Sequence, residues 1–150
     1  MLVKEIMTPR VIAVDPETTL KEAARMLYKN KISGAPVIDR AGVLLGVISE
    51  KEIFRALFPD HETFYKDPTA NNDAREKRMS VDIVRERQVQ SFMNQRPVTV
   101  SSDEGILHAA ALMLSRGMHR LPVLDKNKMI GIVTRKDVYR AVLQIGFDLK

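Results

Sequence analysis

The chain repeats itself. Shifted by 86 positions, Val14 falls on Val100, and Leu20, Ala23, Ala24 and Leu27 fall on Ile106, Ala109, Ala110 and Met113. Ala35-Pro36-Val37-Ile38-Asp39 falls on Leu121-Pro122-Val123-Leu124-Asp125. The next turn is one residue shorter in the second copy, so the shift becomes 85. Gly46-Val47-Ile48-Ser49 then falls on Gly131-Ile132-Val133-Thr134, and Glu52 on Asp137. A duplication constrains the fold more than any single motif, because each copy is one supersecondary unit that must bury its apolar face against something.

The pattern within a copy names its elements. Val11 to Val14, stopped by Asp15-Pro16, predicts a short strand. Thr19 and Glu22 have the spacing of a capping box, and Leu20, Ala23, Ala24 and Leu27 follow as one helical stripe ending near Asn30-Lys31. Pro36 to Ile38 and Val43 to Ile48 read as strands joined at Arg40-Ala41-Gly42. Ile53, Ala56 and Leu57 open another helix, which Pro59 ends. In the second copy Gly117 ends a helix, Pro122 to Leu124 forms a strand, Asp125 to Lys128 turns, Met129 to Val133 returns, and a helix opens at Thr134. Each copy is thus strand, helix, strand, strand, helix, an α/β (α+β) class. About 55 residues bury too little apolar surface alone, so two copies sharing one core are expected. The divisions are 1–57 for the first repeat, 58–88 for a connector and 89–150 for the second repeat.

The connector is densely charged with both signs. It reads as a loop that Phe58, Phe64 and Tyr65 anchor, followed from Asn72 by a mostly solvated helix with apolar residues at Met79, Ile83 and Val84. There are no cysteines, which excludes disulfides and thiol chemistry and fits a reducing cytoplasm. No run of about eighteen apolar residues predicts a membrane span, and MLVKEIMTPR lacks the order of a secretory signal. The net charge of +5 favours anionic partners or is simply spread over the surface; both readings stand. Nucleic acid is an unlikely partner, since the connector's basic residues alternate with acidic ones. There is no phosphate-loop or dinucleotide-binding fingerprint. His61, His108 and His119 are not at metal-ligand spacing, and no serine sits in a nucleophile elbow. No metal and no catalytic residue is therefore expected. His108, between core positions of its helix, reads as an interface residue. Val138, Ala141, Val142 and Ile145 read as an exposed stripe suited to a homodimer.

Several segments match a known family in order and in duplicate. They are Met7-Thr8-Pro9 and Met93-Asn94-Gln95-Arg96-Pro97 before the first strand of each copy, the two Ala/Leu-Pro-Val segments, and Gly-Val-Ile-Ser and Gly-Ile-Val-Thr before each last helix. The chain resembles a tandem pair of cystathionine-β-synthase (CBS) domains, a Bateman module, over Val3 to Leu57 and Val89 to Leu143. The resemblance implies a sheet-and-helix core with a cleft between the repeats. It also implies a regulatory, non-enzymatic role, adenosine-containing ligands, no required cofactor, and an effector that is a separate protein.

By that resemblance Thr134 and Asp137 grip a ribose, with Ser49 and Glu52 as the second pair. A carboxylate can accept two hydrogen bonds from a vicinal diol. The same residues also make plain capping boxes, and the two roles are compatible. Glu52 departs from the usual Asp by one methylene. His119, Arg120, Lys136 and Ser33 are the phosphate candidates, Arg offering a fork suited to phosphate oxygens; Lys51 matches Lys136. Thr8, Ile12, Gly34, Gln95, Val98 and Pro122, with Pro36, are implied for the base pocket. The resemblance groups Ile12, Ser33 and Gly34 with Thr134 and Asp137, and Val98, His119 and Arg120 with Ser49 and Glu52. The two clefts should differ, because His119 and Arg120 stand where the first repeat has Ser33 and Gly34.

Overall fold

The computed structural model describes residues 1–9, 11–59, 61–66 and 81–150. In the first repeat, α1 (Leu20–Asn30), β1 (Gly34–Ile38), β2 (Leu44–Ser49) and α2 (Glu50–Leu57) follow in order, and α3 (His61–Lys66) begins the connector. In the second, β3 (Val100–Ser101), α4 (Ile106–Arg116), β4 (Arg120–Asp125), β5 (Lys128–Thr134) and α5 (Arg135–Gly146) follow. This is the α/β class expected from the duplicated pattern.

The local reasons are visible. Thr19 caps α1: its hydroxyl accepts from Glu22 N (3.2 Å) while Thr19 N donates to the Glu22 carboxylate (3.2 Å). Lys31 closes α1 and Gly117 closes α4 in the left-handed conformation, φ 54° and 63°, where Gly carries no Cβ penalty. β4 and β5 form a hairpin through Lys126 and Asn127, both at positive φ (47° and 65°). That two-residue loop matches strand twist. The polar turn is therefore tighter than Asp125 to Lys128, whose end residues pair within the strands. β3 lies parallel to β4, and β4 antiparallel to β5. Val11 to Val14 is not a strand: only Val14 bridges to Val37, the backbone before it being too short of partners to extend the ladder.

Contacts divide the chain into two compact units. The C-terminal unit is Met1–Ile12, Arg40–Leu44 and Arg96–Lys150; the N-terminal unit is Ala13–Asp39 and Leu45–Gln95. Each has its own buried cluster. In the C-terminal unit Val3 joins Val100, Ala109, Met113, Leu121, Val123, Val133 and Val138. In the N-terminal unit Val89 joins Val14, Leu20, Ala23, Leu27, Ala35, Val37, Ile48 and Ile53. The single shared core expected from the repeat length is thus replaced by two. Each is completed by the segment that precedes the other repeat, and that segment supplies the missing apolar surface. Val3 N donates to Glu104 O (2.8 Å) and Ile106 N to Met1 O (3.2 Å); 86 positions away, Val89 N donates to Thr18 O (2.8 Å) and Leu20 N to Arg87 O (2.9 Å). These bonds satisfy amides at the helix entrances that have no partner within the helix. Lys4 adds an ion pair to Asp103 (2.7 Å), which holds the lysine's pKa above its ordinary value.

Other expectations change. Tyr65 is exposed and anchors nothing, whereas Phe58 is half-buried edge-on against Phe54, ring centroids 5.7 Å apart. Residues 61–66 are helical, not loop. The helix expected from Asn72 is described only over 81–84, where Val84 packs on the core and Ile83 is exposed. Asn72 to Ser80, with Met79, and the side chain of Phe64 lie outside the described residues. Val138 and Ala141 are buried, and Val142 packs on the core. Their i, i+3, i+4 spacing turns that face inward; Ile145 is exposed as expected, and the other exposed apolar residues of α5 are Tyr139 and Leu143. His108 is also on the surface, its Nε2 3.5 Å from Glu104 Oε2 one turn earlier. Among the described residues no helix is long and apolar enough to cross a membrane.

Candidate functional site

Each unit carries a strand-to-helix junction with an acid on the first helical turn. At the start of α5, Thr134 is extended (φ −101°, ψ 159°) and N-caps the helix. Its hydroxyl donates to Asp137 Oδ2 (2.6 Å), its amide donates to the same oxygen (3.0 Å), and Asp137 N donates back to the hydroxyl (3.3 Å). One carboxylate oxygen is committed to the cap. Oδ1 has no hydrogen-bond partner among the described residues, and the side chain is half-exposed. At the start of α2, Ser49 N donates to Glu52 Oε2 (2.9 Å), and the Ser49 hydroxyl donates to that oxygen as well. Both sequence-predicted capping boxes are therefore real, and each leaves one carboxylate oxygen free for a donor from outside the protein.

The segment before the other repeat runs beside each junction. Thr8 N donates to Ile132 O (2.8 Å) and Ile132 N to Thr8 O (2.9 Å), two residues before Thr134. In the N-terminal unit Asn94 and Val47 exchange the same pair (2.9 and 3.0 Å), two residues before Ser49, and Gln95 follows directly. The approach requires glycine. A Cβ on Gly131 would stand 2.8 Å from Thr8 O and 2.9 Å from Met7 Sδ; one on Gly46 would stand 2.6 Å from Asn94 O and 2.8 Å from Met93 Sδ. Neither glycine is at positive φ, so close backbone approach is the reason for both. The motif contained these glycines, yet nothing local in it reveals their neighbours.

Thr8 also explains Pro122, which sits in β4, the middle strand of three, where a missing N–H is normally a defect. Pro122 lies opposite Ile132, whose amide and carbonyl both turn away to Thr8. No ladder bond to β5 is therefore lost.

The C-terminal unit brings Thr134, Lys136 and Asp137 into one unit with His119, Arg120, Pro122, Thr8, Val98 and Ile12. His119, Lys136 and Ile12 are exposed, Arg120 and Val98 half-buried, and Pro122 buried. Arg120 is the register partner of Thr134. The N-terminal unit brings Ser49 and Glu52 together with Ser33 and Gly34: Ser33 O accepts from Glu50 N (2.9 Å), and Gly34 lies against Ser49. Gln95 belongs to that unit as well. Sequence reasoning missed Arg135, whose guanidinium donates twice to Met118 O (Nη2 2.8 Å, Nε 3.2 Å) while its amide donates to His119 O (2.8 Å). Among the described residues no group of three or more His, Cys, Asp or Glu could hold a metal ion.

Paired junctions of this form, each preceded by a strand hairpin and a helix, define a duplicated architecture, and the CBS domain model matches the chain at residues 3–59 and 89–144. The chain belongs to the CBS domain family and is a tandem CBS pair. It is 34% identical over 146 residues to a CBS domain-containing protein of Dictyostelium discoideum, covering 97% of this chain and 93% of that one. The crystal structure of CBSX2 in complex with AMP superposes with a TM-score of 0.74 at 31% identity, covering 97% and 98% of the two chains; CBSX2 is a chloroplastic protein of Arabidopsis thaliana. The CBS pair of protein MJ0100, in complex with 5′-methylthioadenosine and S-adenosyl-L-methionine, superposes at a TM-score of 0.68 and 26% identity, covering 95% of each chain.

Proposed function

We propose that this chain is a non-enzymatic regulatory module that senses an adenosine-containing nucleotide, of the AMP, ADP or ATP kind, and passes the signal to a separate effector protein in the cytoplasm. No cofactor is required; the nucleotide is the ligand. The observation that carries the reading is the Thr134–Asp137 junction, where a capped, half-exposed carboxylate keeps one oxygen free for a diol. Likeness to pairs crystallised with AMP and with S-adenosyl-L-methionine supports the ligand class. In this reading Thr134 and Asp137, and more weakly Ser49 and Glu52, hold ribose hydroxyls. His119, Arg120, Lys136 and Ser33 meet phosphates. Thr8, Ile12, Gly34, Gln95, Val98 and Pro122 surround the base, Thr8 and Gln95 through their backbone groups. A ligand shifts a protein only by its differential affinity for two states, so the effector must recognise the bound state better than the free one.

Calorimetric titration with AMP, ADP, ATP and S-adenosyl-L-methionine tests the proposal, and silence from all four ends it. Both capping boxes favour a second reading, a ligand-free interaction scaffold in which the acids serve only their helices. Nucleic-acid binding would show as a steep loss of affinity with salt; a flat response removes it.

A homodimer belongs to the proposal. On α4, Leu107 and Leu114 are 69% and 67% exposed with Ala111 between them, and α5, packed alongside, adds Tyr139 and Leu143. The matching positions on α1 are Lys21, Arg25 and Tyr28, so of these two helices α4 is the one that offers an aliphatic stripe to a second copy. Leu107→Lys with Leu114→Lys is expected to shift sedimentation from dimer to monomer and leave the thermal transition of the monomer unchanged. A wild-type monomer at high concentration would contradict it.

A further inference from the structure

The two units share a backbone latch but differ in a side-chain one. Arg135 N donates to His119 O (2.8 Å), and at the matching place Glu50 N donates to Ser33 O (2.9 Å). In the C-terminal unit alone the side chain adds a second hold, through the two bonds from the Arg135 guanidinium to Met118 O. Glu50 offers a carboxylate, which cannot donate to a carbonyl. The segment so gripped is short and fixed at both ends. Gly117 turns the chain out of α4, Met118 N returns to Met113 O (3.0 Å), and Arg120 enters β4 opposite Thr134.

The grip coincides with charge. Among the described residues no carboxylate lies within ion-pairing distance of Arg135, so its positive charge rests on the carbonyl of Met118, next in sequence to His119 and Arg120, with no ion pair. The chain's whole basic surplus is in this unit, with twelve Lys and Arg against six Asp and Glu; the N-terminal unit has twelve against thirteen. Where the first repeat has the small, uncharged Ser33 and Gly34, the side-chain grip is absent.

We infer that Arg135 is a positioning residue: it locks Met118 to Arg120 onto the start of α5, so that His119 and Arg120 meet the phosphates of a nucleotide already ordered. The inference rests on the phosphate reading of those two residues. Its physical basis is preorganisation: side chains and loop ordered before binding incur no ordering cost on binding. In this account Arg135 acts through the loop: two of its five N–H donors, one on Nε and one on Nη2, are held by Met118 O. The consequence is selective. Affinity for phosphates should depend on Arg135, and affinity for the nucleoside should not.

The test compares wild type, Arg135→Met and Arg135→Lys in two measurements. One is calorimetric titration with ATP, AMP and adenosine; the other is amide hydrogen exchange at Met118 and Arg135, whose amides donate to Met113 O and His119 O. Arg135→Met is expected to weaken ATP roughly 10-fold, the scale of a few side chains that must be ordered on binding, and adenosine less than about 2-fold. Exchange at these two amides should rise about 10-fold as the latch opens locally. Arg135→Lys, with one point donor in place of a fork, should recover part of both. A folded Arg135→Met protein with unchanged exchange overturns the inference whatever the ligand. Equal weakening of ATP and adenosine overturns it too, as general damage. If Arg135→Met does not fold, Arg135→Lys carries the same comparison, with wild-type behaviour in both measurements as the overturning result. Wild type that binds no adenine compound defeats the proposed function instead, while the exchange data still decide whether Arg135 holds the segment.

Discussion

Asp137→Ala is expected to weaken adenine-nucleotide binding by about 100-fold or more while lowering the stability of the protein by only about 1 kcal/mol. The two effects separate because the carboxylate is used on two sides. Toward the protein, Oδ2 accepts from the Thr134 amide and hydroxyl (3.0 and 2.6 Å); losing that half of a capping box costs about 1 kcal/mol, or roughly 2–4 °C in Tm for a chain of this length. Toward solvent, the free oxygen is the acceptor proposed for the ribose diol. Hydrogen bonds to a charged group contribute about 1.5–3 kcal/mol each, so two of them account for at least a 100-fold loss. Thermal melting and calorimetry on the same sample decide between the two readings. A lowered Tm with untouched affinity would establish the scaffold and remove Asp137 from the site. Glu52→Ala should cost a similar amount of stability and less affinity, because the longer side chain sets its free oxygen about a bond length further from its helix.

Gly131→Val is expected to destabilise the C-terminal unit strongly, by about 3 kcal/mol and roughly 6–12 °C in Tm. The added Cβ would stand 2.8 Å from a backbone oxygen, Thr8 O, and 2.9 Å from Met7 Sδ. The sulfur can swing aside; the carbonyl cannot move without breaking the two Thr8–Ile132 bonds, worth about 1 kcal/mol each. Displacing the segment further would also draw Val3 out of the core, and a buried Val contributes about 1.5–3 kcal/mol. The protein takes the cheaper of strain and displacement, which bounds the cost. Limited proteolysis should release the first residues earlier in the variant, and nucleotide affinity should fall with the loss of Thr8. Gly146→Ala is the control. Nothing lies within 4 Å of its Cβ position, and removing a helical glycine stabilises by up to about 1 kcal/mol. Equal Tm values for Gly131→Val and wild type would refute the close-approach account of this glycine.

The candidate site was legible to different depths. Thr134 with Asp137 and Ser49 with Glu52 could be found from spacing alone, since a capping box is a contact between neighbours in sequence. His119 and Arg120 stood out by chemistry and by their absence from the first repeat. Arg135 did not, although it lies inside the same motif. Its partner Met118 O is a backbone atom seventeen residues away, and no residue type announces that a carbonyl will be there. The misplaced apolar stripe on α5 has a similar origin. Val138, Ala141 and Val142 are correctly periodic, but period alone cannot say whether a face meets a core or solvent.

Sequence alone was sufficient for the class of the fold, the helix, strand, strand, helix order common to both repeats, the capping boxes of α1, α2 and α5, and the acids at the strand-to-helix junctions. Those features depend on interactions within a few residues, and the repetition tested the junction acids twice. Tertiary structure alone decided that Met1 to Thr8 completes the second repeat and that Val89 to Asn94 completes the first. It also decided that two cores form in place of one, and that Gly46 and Gly131 are small so that a backbone may pass. The pairing of Thr8 with Ile132 spans more than a hundred residues. Its register is set by which apolar residue fills which core, a property of volume and hydrogen-bond satisfaction in three dimensions that no local pattern encodes.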